Sequence, residues 1–323
     1  MPGQRYRAAR FCHLCGDPLA GRVLSNSEGL TWCMRCQTER PHCKLCHTPL
    51  DDGAIARHKG QGGAEPALCA RCLRVSPRCR TCRAPLVQSW YTFEELIPTT
   101  PERRYCPTCV RVNPRCDVCR VPVERGSAPL DDGQYRCASC AAEMIADEAP
   151  VRALYEDALA VCAAVTAESL RAKPALEVVS RLRMGEIRSK HEHGVAAAQR
   201  ETTPSPHVVG YFVRERGQAT IYVERRLPRS MLIGTLAHEI GHAWQTERAP
   251  ELRDMLICEG FAEWVAHHAL VACELQTLAA RSTRREDIYG RGLRRLLQVE
   301  RAGGRDAVLD VARGRTPLAM TTP

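Results

Sequence analysis

The sequence predicts a multidomain α+β protein. A tandem array of four small, metal-built modules comes first, and a helix-rich domain with a small β-sheet follows. Three observations predict this. Of 19 cysteines, 16 fall into eight C-x-x-C pairs between Cys12 and Cys140. After Cys140 the composition changes to amphipathic helical runs, and His238-Glu239-Ile240-Gly241-His242 lies inside one of them.

The cysteine pairs justify the array. They are Cys12/Cys15, Cys33/Cys36, Cys43/Cys46, Cys69/Cys72, Cys79/Cys82, Cys106/Cys109, Cys116/Cys119 and Cys137/Cys140. Long gaps of 17, 22, 23 and 17 residues alternate with short gaps of 6. Each unit opens on Cys-x-x-Cys and continues through Pro18-Leu19, Pro49-Leu50, Pro85-Leu86 or Pro122-Val123. Such a period marks one module used four times. Below roughly 40 residues an apolar core alone does not offset chain entropy. Four thiolates on one zinc ion supply the missing folding energy. We expect four zinc ribbons at 11–38, 42–74, 78–111 and 115–141, after a tail at 1–10, with the two pairs of each unit sharing one zinc. The alternatives are cross-bracing, in which the first and third pairs share a metal, and redox chemistry at the cysteines.

Residues 142–204 read as a helical connector and a loop. Pro150 stands at a helix start, and Val151, Leu154, Tyr155, Ala158, Leu159, Cys162 and Val165 share one helical face. The polar stretch at about 189–206 reads as loop, with His191 and His193 as exposed side chains. His207–Arg214 and Ala219–Glu224 alternate as the strands of a hairpin, which opens a last domain at 205–323.

The H-E-x-x-H segment carries the chemistry. On a helix it places two imidazoles at i and i+4 with a carboxylate beside them, the hardware for zinc and a general base. Leu232, Ile233, Leu236, Ala237, Ile240 and Ala243 give the stretch from about 230 to 246 its apolar face, with Ser230 as N-cap. Gln245 and Arg248 stand where a metzincin needs glycine and histidine. Glu259, on a second helical run reaching about Leu270, is therefore the expected third ligand of a His/His/Glu site. Its run Glu-Gly-Phe-Ala at 259–262 resembles the third-ligand segment of gluzincin aminopeptidases. Glu263, one turn on, can orient a ligating imidazole. The expected fold of this domain is zincin-like, with an edge strand that can pair with an extended peptide.

Composition bounds the rest. The formal net charge is +9, but four thiolate-bound zinc ions at −2 each and one catalytic Zn²⁺ bring it to about +3. With aromatics at 5% and no basic-aromatic stripe, we expect no nucleic-acid partner. The start at Met1–Arg7 lacks the apolar stretch of a signal peptide, and no run of ~18 apolar residues occurs, so we expect a cytoplasmic protein with no membrane partner. Reduced thiols there suit metal sites. Cys162, Cys258 and Cys273 read as small buried hydrophobes.

The whole layout resembles the plant ubiquitin-activated growth-regulating peptidases, which join LIM zinc modules to a gluzincin-like domain. The resemblance rests on Leu227-Pro228-Arg229, Gly234 to Glu239, His242-Ala243-Trp244, Glu259-Gly260, His267, Tyr289 to Arg294 and Gly314 to Pro317, and so covers about 205–318. These modules depart from LIM modules in being all-cysteine and in having six residues between fingers. No acidic ubiquitin-interacting helix precedes them. The resemblance implies a zinc metallopeptidase acting on a protein or peptide substrate, with a protein partner, ubiquitin-like in that family, on the ribbon array. We expect Glu239 as general base on zinc held by His238, His242 and Glu259, and Tyr289, in a glycine-flanked turn, as oxyanion donor with His267 as its competitor. Endopeptidase, aminopeptidase and a latent adaptor stay open, the first favoured.

Overall fold

The computed structural model describes residues 10–51, 67–93, 103–124, 126–130, 133–192 and 208–318. It divides into two compact units. One holds the described residues up to Arg115 with Arg120–Ser127, and the other holds Cys116–Cys119 with the described residues from Ala128 onward.

In the first unit each C-x-x-C plays one of two local roles. The first pair of a module forms a tight knuckle, in which the N–H of Gly16, His47 or Arg83 bonds back to the carbonyl of Cys12, Cys43 or Cys79 at 2.9 Å in each case. The residue after the second cysteine is left-handed, with φ 75° at Gly16, 57° at His47 and 60° at Arg83. For the two side-chain-bearing residues this is strained backbone, held only where the surroundings over-determine it. The second pair starts a short helix: Met34–Glu39 (α1), Ala70–Val75 (α2) and Pro107–Val112 (α3). Cys33, Cys69 and Cys106 cap them, each thiol accepting the backbone N–H three residues on. Two-stranded ribbons precede two of these helices, Leu24–Ser25 (β1) with Thr31–Trp32 (β2) and Tyr91–Phe93 (β3) with Arg103–Tyr105 (β4). Each ribbon brings its two cysteine pairs back together.

The second unit starts with the same short helix at Ala138–Ala142 (α4), then Glu148–Thr166 (α5), Ala175–Val179 (β5), Arg181–Glu192 (α6), Gly210–Glu215 (β6) and Gln218–Glu224 (β7). Arg229–Arg248 (α7), Met255–Ala272 (α8), Gln276–Thr283 (α9) and Ile288–Ala312 (α10) follow. The sheet order is β5-β7-β6, with β5 parallel and β6 antiparallel to β7, so among the described residues β6 is an edge strand. Leu236, Ala237, Ile240 and Trp244 of α7 and Phe261, Trp264 and Val265 of α8 are all fully buried. Each large side chain contributes about 1.5–3 kcal/mol when removed from water. Two backbone approaches set the helix spacing. A Cβ on Gly241 would lie 2.9 Å from Ala262 Cα, and one on Gly292 would lie 2.6 Å from Gly260 Cα. No described helix is long and apolar enough to cross a membrane.

Some sequence expectations need correction. Ser230 does not cap α7; Pro228 holds that position, and Ser230 Oγ donates to Glu143 Oε2 at 2.8 Å. The loop expected from 189 instead continues α6 to Glu192, where His191 Nδ1 lies 3.4 Å from Glu215 Oε1. His193 falls outside the described residues. The hairpin turn is tighter than expected, at Arg216-Gly217 alone. Strand β5 was not legible, because a five-residue apolar run between helices fits either period.

Candidate metal centre

The i, i+4 spacing on α7 points His238 and His242 the same way, with their Nε2 atoms 3.1 Å apart. Across the Gly241–Ala262 contact, α8 brings Glu259 Oε2 to 3.4 Å from each. A tetrahedral ion with bonds of ~2.0–2.1 Å needs donor-to-donor edges of about 3.3–3.4 Å. Glu259 Oε2 is moreover buried with no hydrogen-bond partner, an orphan acceptor that a cation would satisfy. Burial alone would raise Glu259, but the two imidazoles hold it well below the usual carboxylate range. Burial alone would lower His238, but Glu259, Glu239 and Glu263 carry it up to about 9. The three residues thus fit a divalent cation in both spacing and charge.

The cysteines meet the same test. They gather as Cys12/15/33/36, Cys43/46/69/72, Cys79/82/106/109 and Cys116/119/137/140, and neighbouring pairs share a site in every module, so cross-bracing is excluded. A zinc–thiolate bond of ~2.3 Å implies sulfur-to-sulfur edges of about 3.8 Å. The contacts are 3.8 Å for Cys12–Cys36, Cys15–Cys33, Cys46–Cys69 and Cys82–Cys106, and 3.6 Å for Cys119–Cys137. Backbone N–H groups point at sulfur, as from Cys106 to Cys79 Sγ at 3.3 Å. Burial drives Cys36 up to about 12. Cys12 falls to about 6 because backbone donors at Cys15, Cys33 and Leu14 outweigh its burial. In this first module the packing favours a thiolate at Cys12 and penalises one at Cys36 until a cation is present. Cys162, Cys258 and Cys273 stand outside these clusters; Cys162 is buried as expected, whereas Cys258 and Cys273 are only half-buried.

Around the three donors the cleft has two arms. A cavity of about 460 Å³ is walled by Met231, Leu270 and Leu278, and another of about 430 Å³ by Arg188, Tyr211 and Met255. Both touch Gly210, His238, Glu239 and Tyr289. Glu239 is 7% exposed. Burial raises its carboxyl, against the charges of His238 and His242 and a hydrogen bond with the Phe212 backbone. The register of the hairpin, with the Glu224 N–H bonded to Val209 O, turns the peptide groups of Gly210, Phe212 and Arg214 away from β7. A wider groove of about 850 Å³, lined by Arg291, Arg294, Arg295 and Arg301, contains none of the metal-donor residues.

The remaining expected residues fall as follows. Glu263 Oε1 is 3.8 Å from His238 Nδ1, beyond hydrogen-bond range, and is bonded instead by Arg285 Nη1 at 3.1 Å. Tyr289 lies not in a turn but in the first turn of α10, its ring centroid 5.8 Å from that of His238. Burial pushes it up to about 12, with Glu259 and Glu239 adding to the rise. His267 faces elsewhere, its Nδ1 3.3 Å from Ala279 O. The sequence reading missed Arg285 and Gly210. Arg285 binds Glu263 and Asp287 and stacks 4.6 Å over the Tyr289 ring. A Cβ on Gly210 would meet Thr235 Cγ2 at 2.4 Å and Glu239 Oε1 at 2.8 Å. No local signal marks either residue, since both act across elements distant in sequence. The chain matches no protein-family model and no curated protein.

Proposed function

We propose that this chain is a zinc-dependent metallopeptidase that cleaves within a protein or peptide substrate, with four structural zinc ions in the cysteine modules. The observation that carries the reading is a buried Glu239 carboxylate beside a three-donor set, in a two-armed cleft next to β6, an edge strand among the described residues. His238, His242 and Glu259 would hold the catalytic Zn²⁺. When bound, that ion supplies Lewis acidity and lowers the pKa of water.

The rest is the work of the chain. The outward peptide groups of Gly210 and Arg214 pair with an extended substrate and hold its scissile bond over Glu239. Glu239 takes the proton from the attacking water and delivers it to the leaving amine; general acid–base catalysis of this kind contributes about 10²–10⁴-fold. Tyr289, a phenol that stays protonated at neutral pH, donates a hydrogen bond to the developing oxyanion. The charge of Glu263 favours a proton on His238 Nδ1, which leaves Nε2 free to ligate. Because Arg285 already occupies Glu263, this carboxylate is not free to grip a substrate α-amine, which supports an endopeptidase over an aminopeptidase. Glu239→Gln tests the reading: metal content and melting should persist while cleavage of blocked peptides disappears. Cleavage at the parent rate by that variant, or strict dependence on a free N-terminus, would overturn it.

A further inference from the structure

Val118 stands between Cys116 and Cys119, in the first knuckle of the fourth module. It lines the 460 Å³ arm of the cleft together with Met231, Leu270 and Leu278. The corresponding residues Leu14, Leu45 and Thr81 of the other modules belong to the other compact unit. All four cysteines of this module are buried, and the knuckle is anchored from several directions. Asp117 accepts the Tyr135 N–H at 2.8 Å and pairs with Arg181 of α6 at 3.4 Å. Gln134, nearly fully buried, hydrogen-bonds Glu224 at the end of β7. Beyond the module, the Ile145 N–H bonds Leu227 O at 3.0 Å, just ahead of α7.

We propose that the Cys116–Cys119 knuckle of the fourth module is a wall of the substrate cleft. On this view Val118 sets the size of the apolar side chain a peptide places beside Glu239, and the four cysteines keep that wall in position. The proposal rests on the peptidase reading above and adds to it the substrate class: a peptide with an uncharged apolar residue flanking the scissile bond. A two-residue loop closed by a ligand at each end is rigid, so a valine there defines a pocket edge as firmly as a core residue does. The competing occupant is an acidic side chain drawn by Arg281, whose Nη1 is buried without a hydrogen-bond partner among the described residues.

Binding separates these without relying on turnover. The full, zinc-loaded chain carrying Glu239→Gln is titrated calorimetrically with blocked alanine hexapeptides bearing a single central Leu, Phe, Trp or Glu. Adding Val118→Ala should shift the Leu-to-Trp Kd ratio about tenfold or more toward Trp, and Val118→Leu should shift it the other way, the scale of a few methylenes in an apolar pocket. Leu45→Ala should leave the ratio unchanged, and elemental analysis should show full zinc in each variant. A ratio that moves less than about threefold in both Val118 variants overturns the inference while leaving the peptidase intact. Preference for the Glu peptide regardless of residue 118 also overturns it. If no peptide binds the Glu239→Gln chain, the peptidase reading falls and this inference falls with it.

Discussion

Gly210→Ala is the substitution that most directly probes how the site is built. The added methyl would sit 2.4 Å from Thr235 Cγ2, 2.8 Å from Glu239 Oε1 and 3.1 Å from Glu239 Cγ. Carbon atoms rest comfortably at about 3.5–4.0 Å, so β6 must withdraw from α7 by on the order of 1 Å. Overpacking of this kind costs about 1–3 kcal/mol of stability. The functional cost is larger. Withdrawing β6 moves both the Phe212 backbone beside Glu239 and the edge proposed to hold substrate, and a ~1 Å misplacement is worth about 10²-fold in rate. The assay is kcat/KM on blocked peptides, with the melting temperature and zinc content of the same samples. The worst contact is with one methyl, so Thr235→Ser, which deletes Cγ2, should recover much of the loss in the double variant. That non-additivity is the signature of a direct clash. Parent-like kcat/KM and melting in Gly210→Ala would refute the reasoning, as would a loss that Thr235→Ser leaves untouched.

Tyr289→Phe should lower kcat by about 10²–10³-fold with little change in zinc content, as expected for loss of one oxyanion donor. Because burial pushes this phenol up to about 12, its protonated form persists through pH 10, so parent activity should show no alkaline loss from Tyr289 below that pH. Arg285→Met removes a cation from beside the donor set and frees Glu263 to reach His238 Nδ1, so zinc should bind more tightly, read by competition with a chelating indicator. In metal-free protein, Glu239→Gln should raise the melting temperature at neutral pH, because burial penalises the charged carboxylate. That advantage should vanish as pH falls through the raised folded value toward the unfolded one, where the parent side chain is neutral in both states. Mild chelation should remove about one metal and all activity while the cysteine modules stay folded, since only the three-ligand site keeps an open position. Elemental analysis finding one or two zinc ions per reduced chain would contradict the four-module assignment.

The sequence by itself determined those features whose geometry is local. Cys-x-x-Cys closes its own knuckle, the second pair caps its own helix in the first three modules, and His238 and His242 share a face because a helix turns every 3.6 residues. The proline after each first knuckle and the constant short gap made the module period, and hence the pairing of cysteines, readable without coordinates. Glu259 was reachable because a His/His pair requires a third donor from a second element, and Glu259 lies on the next helical run in a segment that resembles the third-ligand segment of gluzincin aminopeptidases. The tertiary structure alone decided what lies across from what. It set Gly210 against Glu239, tied Glu263 to Arg285 rather than to a ligand, moved Tyr289 from a turn into a helix, and brought Val118 to the cleft. These placements depend on close helix approaches at Gly241, Gly260 and Gly292 and on a strand, β5, with no distinctive sequence period. Packing of that kind is a property of the whole core, in which each side chain's position is fixed by neighbours far away in the chain, so no window of sequence contains it.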